Sequence, residues 1–146
     1  MIVAFDLDGT LADITHRLHH LESHPQKGKN WPEFFRACVD DKPVWPLIEV
    51  LWGMESQSHT IEIWSGRSDI VRDETEEWLK RYAIKYSKLR MRKDGDYRPD
   101  DVLKAEWLEA LPESQRPTLA FDDRQRIVDM WRGHGIICAQ VAPGDF

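Results

Sequence analysis

The chain has 146 residues, enough for one domain with a real core, and its 41% hydrophobic and 32% charged content is that of an ordinary soluble protein. A net charge of −6 excludes a surface that is basic throughout, as a general nucleic-acid binder would carry. No apolar run reaches transmembrane length and no basic segment leads into an apolar one at the N-terminus, so the expectation is a cytoplasmic protein with neither membrane span nor signal peptide.

The first element is the apolar run Ile2-Val3-Ala4-Phe5, a short buried strand, and it leads into Asp6-Leu7-Asp8-Gly9-Thr10. Strand residues at i and i+2 point the same way, so Asp6 and Asp8 project together while Leu7 turns to the core. Two carboxylates side by side need a divalent metal, a shared proton or a basic side chain to relieve their repulsion. Gly9 permits a tight turn and Thr10 offers a hydroxyl. The pattern suits an aspartate nucleophile beside an acid/base, or else a capped strand-to-loop turn.

A long interval separates this strand from the next, at 60–64. It contains His16-Arg17-Leu18-His19-His20, a Gly/Lys-rich stretch at 25–30, and helices at 31–39 and 45–55, the first opened by Asn30 with Glu33 three positions on. This is more than one crossover helix requires, and the surplus, at about 12–44, suits a small lid rather than a separate domain. His16, His19, His20 and His24 lack zinc spacing and read as a solvated helix face.

Further strands are expected at 88–91, 118–121 and 136–140, with helices near 69–84, 99–111 and 124–133. Leu103, Trp107 and Leu111 mark the apolar face of one helix, and Ile127, Val128, Met130 and Trp131 that of another. Strands alternating with helices predict a parallel sheet with right-handed crossovers. Seven tryptophans exceed what a minimal core needs, so several are candidates to line grooves. Cys38 and Cys138 form no CxxC pair and read as buried apolar residues in a reducing compartment.

Three more polar groups follow the strands or open the helices between them. Ser65-Gly66-Arg67 after the second strand supplies a hydroxyl, a turn N–H and a guanidinium, all suited to phosphate oxygens. Asp100-Asp101 opens a helix after Pro99, and Lys104 shares a face with Asp100, either as a surface pair or as a group reaching the phosphate and the nucleophile. Asp122-Asp123-Arg124 is a second acidic pair at a strand end. Ligands of open parallel sheets bind outside the carboxyl ends of the strands. Four carboxylates converging there favour Mg²⁺, a hard cation that takes oxygen ligands and substrate phosphates. The combination reads as a Mg²⁺-dependent phosphoryl-transfer site. Lys85 to Arg98 adds six basic residues interleaved with Tyr86 and Tyr97, which could follow a single strand or form a solvated edge.

In this order, Asp6-Leu7-Asp8-Gly9-Thr10, Ser65, Lys104 and Asp122-Asp123 resemble the haloacid dehalogenase (HAD) superfamily of aspartate-nucleophile phosphatases. Ser65-Gly66-Arg67, Gly95-Asp96, Arg98, Asp100-Asp101-Val102, Lys104, Phe121 to Arg124, Met130 to Arg132 and Gln140 to Phe146 resemble more closely the 3′-phosphatase domain of phage polynucleotide kinase–phosphatase. The resemblance covers most of the chain and is weakest from about 19 to 41, where this chain looks longer.

The resemblance implies an α/β fold: a HAD-like Rossmannoid three-layer sandwich with a five-stranded parallel sheet and a small helical lid insertion, in one domain over 1–146. It implies Asp6 as nucleophile, Asp8 as acid/base and Lys104 as the group that neutralises developing charge. Thr10, Arg17, Ser65, Gly66, Arg67 and Asp100 are implied on the phosphate or substrate side. Asp100 positions Lys104 or Arg67. Asp6, Asp8, Asp122 and Asp123 are implied around Mg²⁺, with Asp123 on metal-bound water or on Lys104. The implied activity is removal of 3′-phosphate from polynucleotide ends in DNA or RNA end repair. Rival readings are a phosphatase of free nucleoside monophosphates or other small phosphomonoesters, and a non-catalytic HAD-fold binding module. These residues contain no G-x-x-x-x-G-K-[ST] phosphate loop, so a kinase or ligase partner would be a separate chain. The chain is expected to be monomeric.

Overall fold

The computed structural model describes residues 1–22 and 28–144, so His24, part of the Gly/Lys-rich stretch at 25–30, and Asp145-Phe146 lie outside the described residues. Five strands form one parallel sheet: β1 (Ile2–Phe5), β4 (Thr60–Ser68), β5 (Lys88–Arg92), β6 (Leu119–Asp122) and β7 (Ile137–Gln140), in the order β5-β4-β1-β6-β7. Each lies close to its expected place. The second runs four residues further than the alternation suggested, so Ser65-Gly66-Arg67 lies inside β4, and its pairing with β5 shifts register between Ser65 and Ser68.

Alternation along the strands builds two cores. Val3 and Phe5 of β1, Ile61 and Ile63 of β4 and Leu89 of β5 face one side, against α2 (Trp45–Ser56) and α3 (Arg72–Arg81). Ala4, Trp64, Ala120 and Cys138 face the other, against α4 (Asp100–Glu109) and α5 (Gln125–Gly133). The result is the expected three-layer sandwich, with the central strands β1 and β4 buried on both faces. Trp64, Trp78 and Trp131 are fully buried core residues. Both cysteines are buried and free, and burial pushes the Cys138 thiol up to about 12. No helix is long and apolar enough to cross a membrane among the described residues.

The interval after β1 has its own organisation. β2 (Ala12–Asp13) and β3 (Lys42–Pro43) pair antiparallel and close its neck. Between them lie a 3₁₀ turn at Thr15–Leu21, helix α1 (Trp31–Arg36) and a 3₁₀ turn at Ala37–Asp40. The Asn30 side chain accepts from the Glu33 N–H, as the cap pattern predicted. Ile14, Phe34, Phe35 and Cys38 form a third cluster with Val71, which seats this insertion beside the start of α3.

Candidate active site

The backbone after β1 curls around a single carbonyl. Leu7 is fully buried, and its carbonyl accepts the N–H groups of Thr10, Leu11 and Ala12 at 3.2, 3.0 and 2.9 Å. Gly9 makes the curl possible: its φ is +85°, and any side chain there would collide with the Asp123 carboxylate. The curl holds Asp6 and Asp8 in different surroundings.

Asp6 faces the acidic pair at the end of β6. Lys104 of α4 donates from Nζ to Asp6 Oδ1 and Asp122 Oδ2, both at 2.8 Å, and is itself buried. Lys104 therefore reaches the expected carboxylate, but its second partner is Asp122 rather than Asp123. Burial, outweighing Lys104 and joined by the charges of Asp122 and Asp123, pushes the Asp6 carboxyl well above its usual range. Burial and the Asp122 charge push Asp123 up to about 6. Oxygens of Asp6, Asp122 and Asp123 lie within 4.8 Å of one another. Asp123 Oδ1 is buried with no hydrogen-bond partner among the described residues. An all-oxygen set with excess negative charge and an orphaned oxygen fits a hard divalent cation.

Asp8 faces the opposite way, toward two buried arginines. Its Oδ1 accepts from Arg17 Nη2 at 2.8 Å, from Arg67 Nε at 3.2 Å and closely from Arg67 Nη2. Burial alone would raise its pKa, but Arg67 and then Arg17 outweigh burial and hold the carboxyl below its usual range. Behind the arginines stands Asp41, with its side chain fully buried. Its Oδ1 accepts from Arg17 Nε at 2.7 Å and its Oδ2 accepts from Arg17 Nη2 at 2.7 Å and Arg67 Nη2 at 3.0 Å. His16 Nε2 lies 2.8 Å from Asp41 Oδ1, and Trp78 Nε1 donates to the Asp41 carbonyl. Thr75 Oγ1 accepts from Arg67 Nη1 at 3.1 Å. Sequence reasoning missed Asp41, which sits 24 residues from Arg17 with no spacing pattern to single it out.

The remaining expected residues divide. Ser65 is buried, and its Oγ accepts the Arg67 N–H at 3.1 Å. Gly66 touches Asp100 so closely that any side chain there would strike the carboxylate. Asp100 binds Arg92 at Oδ1 and Arg124 at Oδ2, the latter at 2.8 Å, so its partners are those two arginines rather than Lys104 or Arg67. Thr10 is fully buried, its hydroxyl unpartnered among the described residues. The C-terminal residues pack on the acidic loop: Gln140 Nε2 donates to the Asp123 carbonyl at 3.1 Å, and the Gln125 N–H to the Gly144 carbonyl at 2.6 Å. A cleft of about 320 Å³ opens beside Gly9 and Asp123, walled by Ile14, Leu18, Val44 and Ala142.

The basic stretch at 85–98 is largely neutralised. Lys85 pairs with Glu55, Arg90 lies over Trp64 near Glu62, Arg92 binds Asp100, and Arg98 binds Asp96 and Glu106. Its geometry is that of a solvated, self-paired edge.

With this geometry in hand, the comparisons are decisive on kinship. The family model for the polynucleotide kinase PNKP phosphatase domain matches residues 1–146. The chain belongs to that family. It is a HAD-type phosphatase domain, similar to chains in two solved structures of the Pnkp1/Rnl/Hen1 complex, one described as an RNA repair complex. Identity to each is 33% over 99% of this chain, with TM-scores of 0.80 and 0.82. This PNKP-type chain spans less than half the length of those chains, 43% and 47%. The fold also matches a haloacid dehalogenase-like hydrolase from Streptococcus pneumoniae, at 15% identity and TM-score 0.61 over 95% of this chain and 83% of that one. L-2-haloacid dehalogenase from Xanthobacter autotrophicus matches at 13% identity and TM-score 0.57, over 96% of this chain and 76% of the enzyme.

Proposed function

We propose that this PNKP-type domain is a Mg²⁺-dependent phosphomonoester hydrolase that removes 3′-phosphate from polynucleotide ends through an aspartyl-phosphate on Asp6. The observation that carries the reading is the division of labour after β1: Lys104 binds Asp6 and Asp122 at 2.8 Å, while Arg17 and Arg67 hold Asp8. Two carboxylates in opposed environments are what a nucleophile and a separate acid/base require.

Asp6, Asp122 and Asp123, with the Asp8 backbone carbonyl, would hold the cation. When bound, it neutralises phosphate charge and orients the phosphorus toward Asp6. An Asp6 oxygen forms a bond to phosphorus as the bond to the leaving 3′-oxygen breaks. Asp8 gives its proton to that oxygen, which departs as a hydroxyl. Arg17 and Arg67 disfavour protonated Asp8, and the negative charge of the arriving phosphate counters them. Asp8, now ionised, takes a proton from water as the water oxygen attacks phosphorus and the Asp6–phosphate bond breaks. Ser65 and the Gly66 N–H hold phosphate oxygens, and Lys104 balances developing charge on them. Thr10 supports the curl from within, and Asp100 braces the Gly66 turn through Arg92 and Arg124.

The insertion at about 12–44 acts as a small lid on this single domain over 1–146. The polynucleotide reading is supported by the PNKP family and by similarity to chains of an RNA repair complex. A side-by-side assay with Mg²⁺ tests it. A 3′-phosphorylated oligonucleotide should be turned over faster than nucleoside 3′- or 5′-monophosphates. A large preference for a free 5′-monophosphate would overturn the substrate assignment and leave the chemistry standing.

A further inference from the structure

Most aromatic side chains of the insertion are buried, but Trp31 is not. Phe34 and Phe35 are 4% and 9% exposed, whereas Trp31, whose ring packs on both at 5.8 Å, keeps 40% of its surface in water. Lys29 Nζ lies 5.7 Å from the Trp31 ring, and Lys29 forms no ion pair among the described residues. The Asn30 N–H donates to the His20 carbonyl at 2.8 Å, which brings Lys29 and Trp31 up to the His19–His20 pair, whose rings are 4.0 Å apart. Glu33, the acidic residue nearest in sequence, is already bound to Arg36 at 2.7 Å.

The patch is joined to the reaction centre by direct contacts. Phe34 carries the Arg17 guanidinium on its ring face at 4.2 Å, and Arg17 binds Asp8. Ile14, in the same cluster as Phe34 and Phe35, also walls the cleft beside Asp123. The cleft and the Trp31 patch thus meet on one apolar cluster, with Ile14 on the cleft wall and Phe34 and Phe35 against the Trp31 ring. Trp45, an exposed tryptophan at the start of α2, packs instead on Trp52 and Tyr82.

We propose that Trp31, with Lys29, is a stacking platform for a nucleobase preceding the 3′-phosphorylated end of a single strand, and that it makes this phosphatase prefer a strand to a mononucleotide. The inference rests on the polynucleotide reading above. An indole face accepts any base, and the adjacent ammonium answers a phosphodiester. The platform is therefore sequence-tolerant and salt-sensitive.

The test is the ratio of kcat/KM for a 3′-phosphorylated single-stranded oligonucleotide to that for a nucleoside 3′-monophosphate. Trp31→Leu should lower this ratio about tenfold, through KM for the oligonucleotide, while Trp31→Phe retains most of it. Lys29→Ala should flatten the slope of log KM against log salt by about 0.7, the contribution of one phosphate contact on a single strand. An unchanged ratio in Trp31→Leu overturns the platform, as does an equal loss on both substrates or a wild-type ratio near one. Failure of the wild type to act on the oligonucleotide at all overturns the polynucleotide reading itself, before any variant is made.

Discussion

Asp6 and Asp8 are two residues apart and differ in everything that matters to their chemistry. Asp6 shares a buried lysine with Asp122, and Asp8 shares two buried arginines with Asp41. Asp6→Asn replaces a nucleophile with an amide and should lower kcat by about 10⁴-fold or more, with the fold intact by circular dichroism. Asp41→Asn tests the brace behind Asp8. An amide cannot replace a carboxylate that accepts three N–H bonds from two guanidinium groups, and it brings a donor against them, so both arginines shift. We expect kcat to fall by about 10²-fold, since displacements near 1 Å carry that cost, together with a lower Tm from the disrupted buried ion pairs. Full activity in Asp41→Asn would mean that Asp8 is held by the arginines alone. At this scale the reading from sequence was uneven. Asp6, Asp8 and Asp122-Asp123 stood at expected strand ends, where chain order and chemistry are both visible, whereas Ser65-Gly66-Arg67 lies inside β4. Asp41 was not legible, because a buried carboxylate on an irregular turn declares itself only through partners that the fold brings together. Asp100 was placed with the right neighbours in sequence but the wrong partners in space.

The five parallel strands and their helices were legible because short apolar runs alternate along the chain with amphipathic stretches. The two-residue strands at Ala12–Asp13 and Lys42–Pro43 and the 3₁₀ turn at Thr15–Leu21 are too short to have a period, and were not anticipated. Trp131 of α5 is 1% exposed, and its indole N–H has no partner among the described residues. Trp131→Ala should cost about 3–5 kcal/mol in unfolding free energy, and Trp131→Phe much less, because it removes an unsatisfied donor while keeping a ring. His134 closes the end of α5 onto α4. Its Nδ1 faces the Met130 carbonyl at 2.8 Å and its Nε2 faces Glu109 at 3.0 Å, so the doubly protonated ring satisfies both, and its pKa is raised by Met130 first and then by Glu109. A raised folded-state pKa stabilises fully below the unfolded value near 6.5, and that stabilisation fades as pH rises through the folded value. The Tm difference between wild type and His134→Gln should therefore shrink from pH 5.5 to pH 8.5. A difference that grows with pH would reverse the assignment.

Over the whole molecule, the parallel sheet and its helices deliver four acidic residues, Lys104 and Arg67 to one edge, and the insertion at 12–44 adds Arg17 and Asp41 from outside the sheet. The PNKP family assignment agrees with this arrangement. Turnover with a 3′-phosphorylated oligonucleotide, stopped in acid and reduced with borohydride, would convert an acyl-phosphorylated aspartate to homoserine, which peptide mass spectrometry locates. The account predicts homoserine at position 6, dependent on substrate and absent in Asp6→Asn. Efficient phosphate release with Asp6 unmodified, or with the label on another carboxylate, would contradict it.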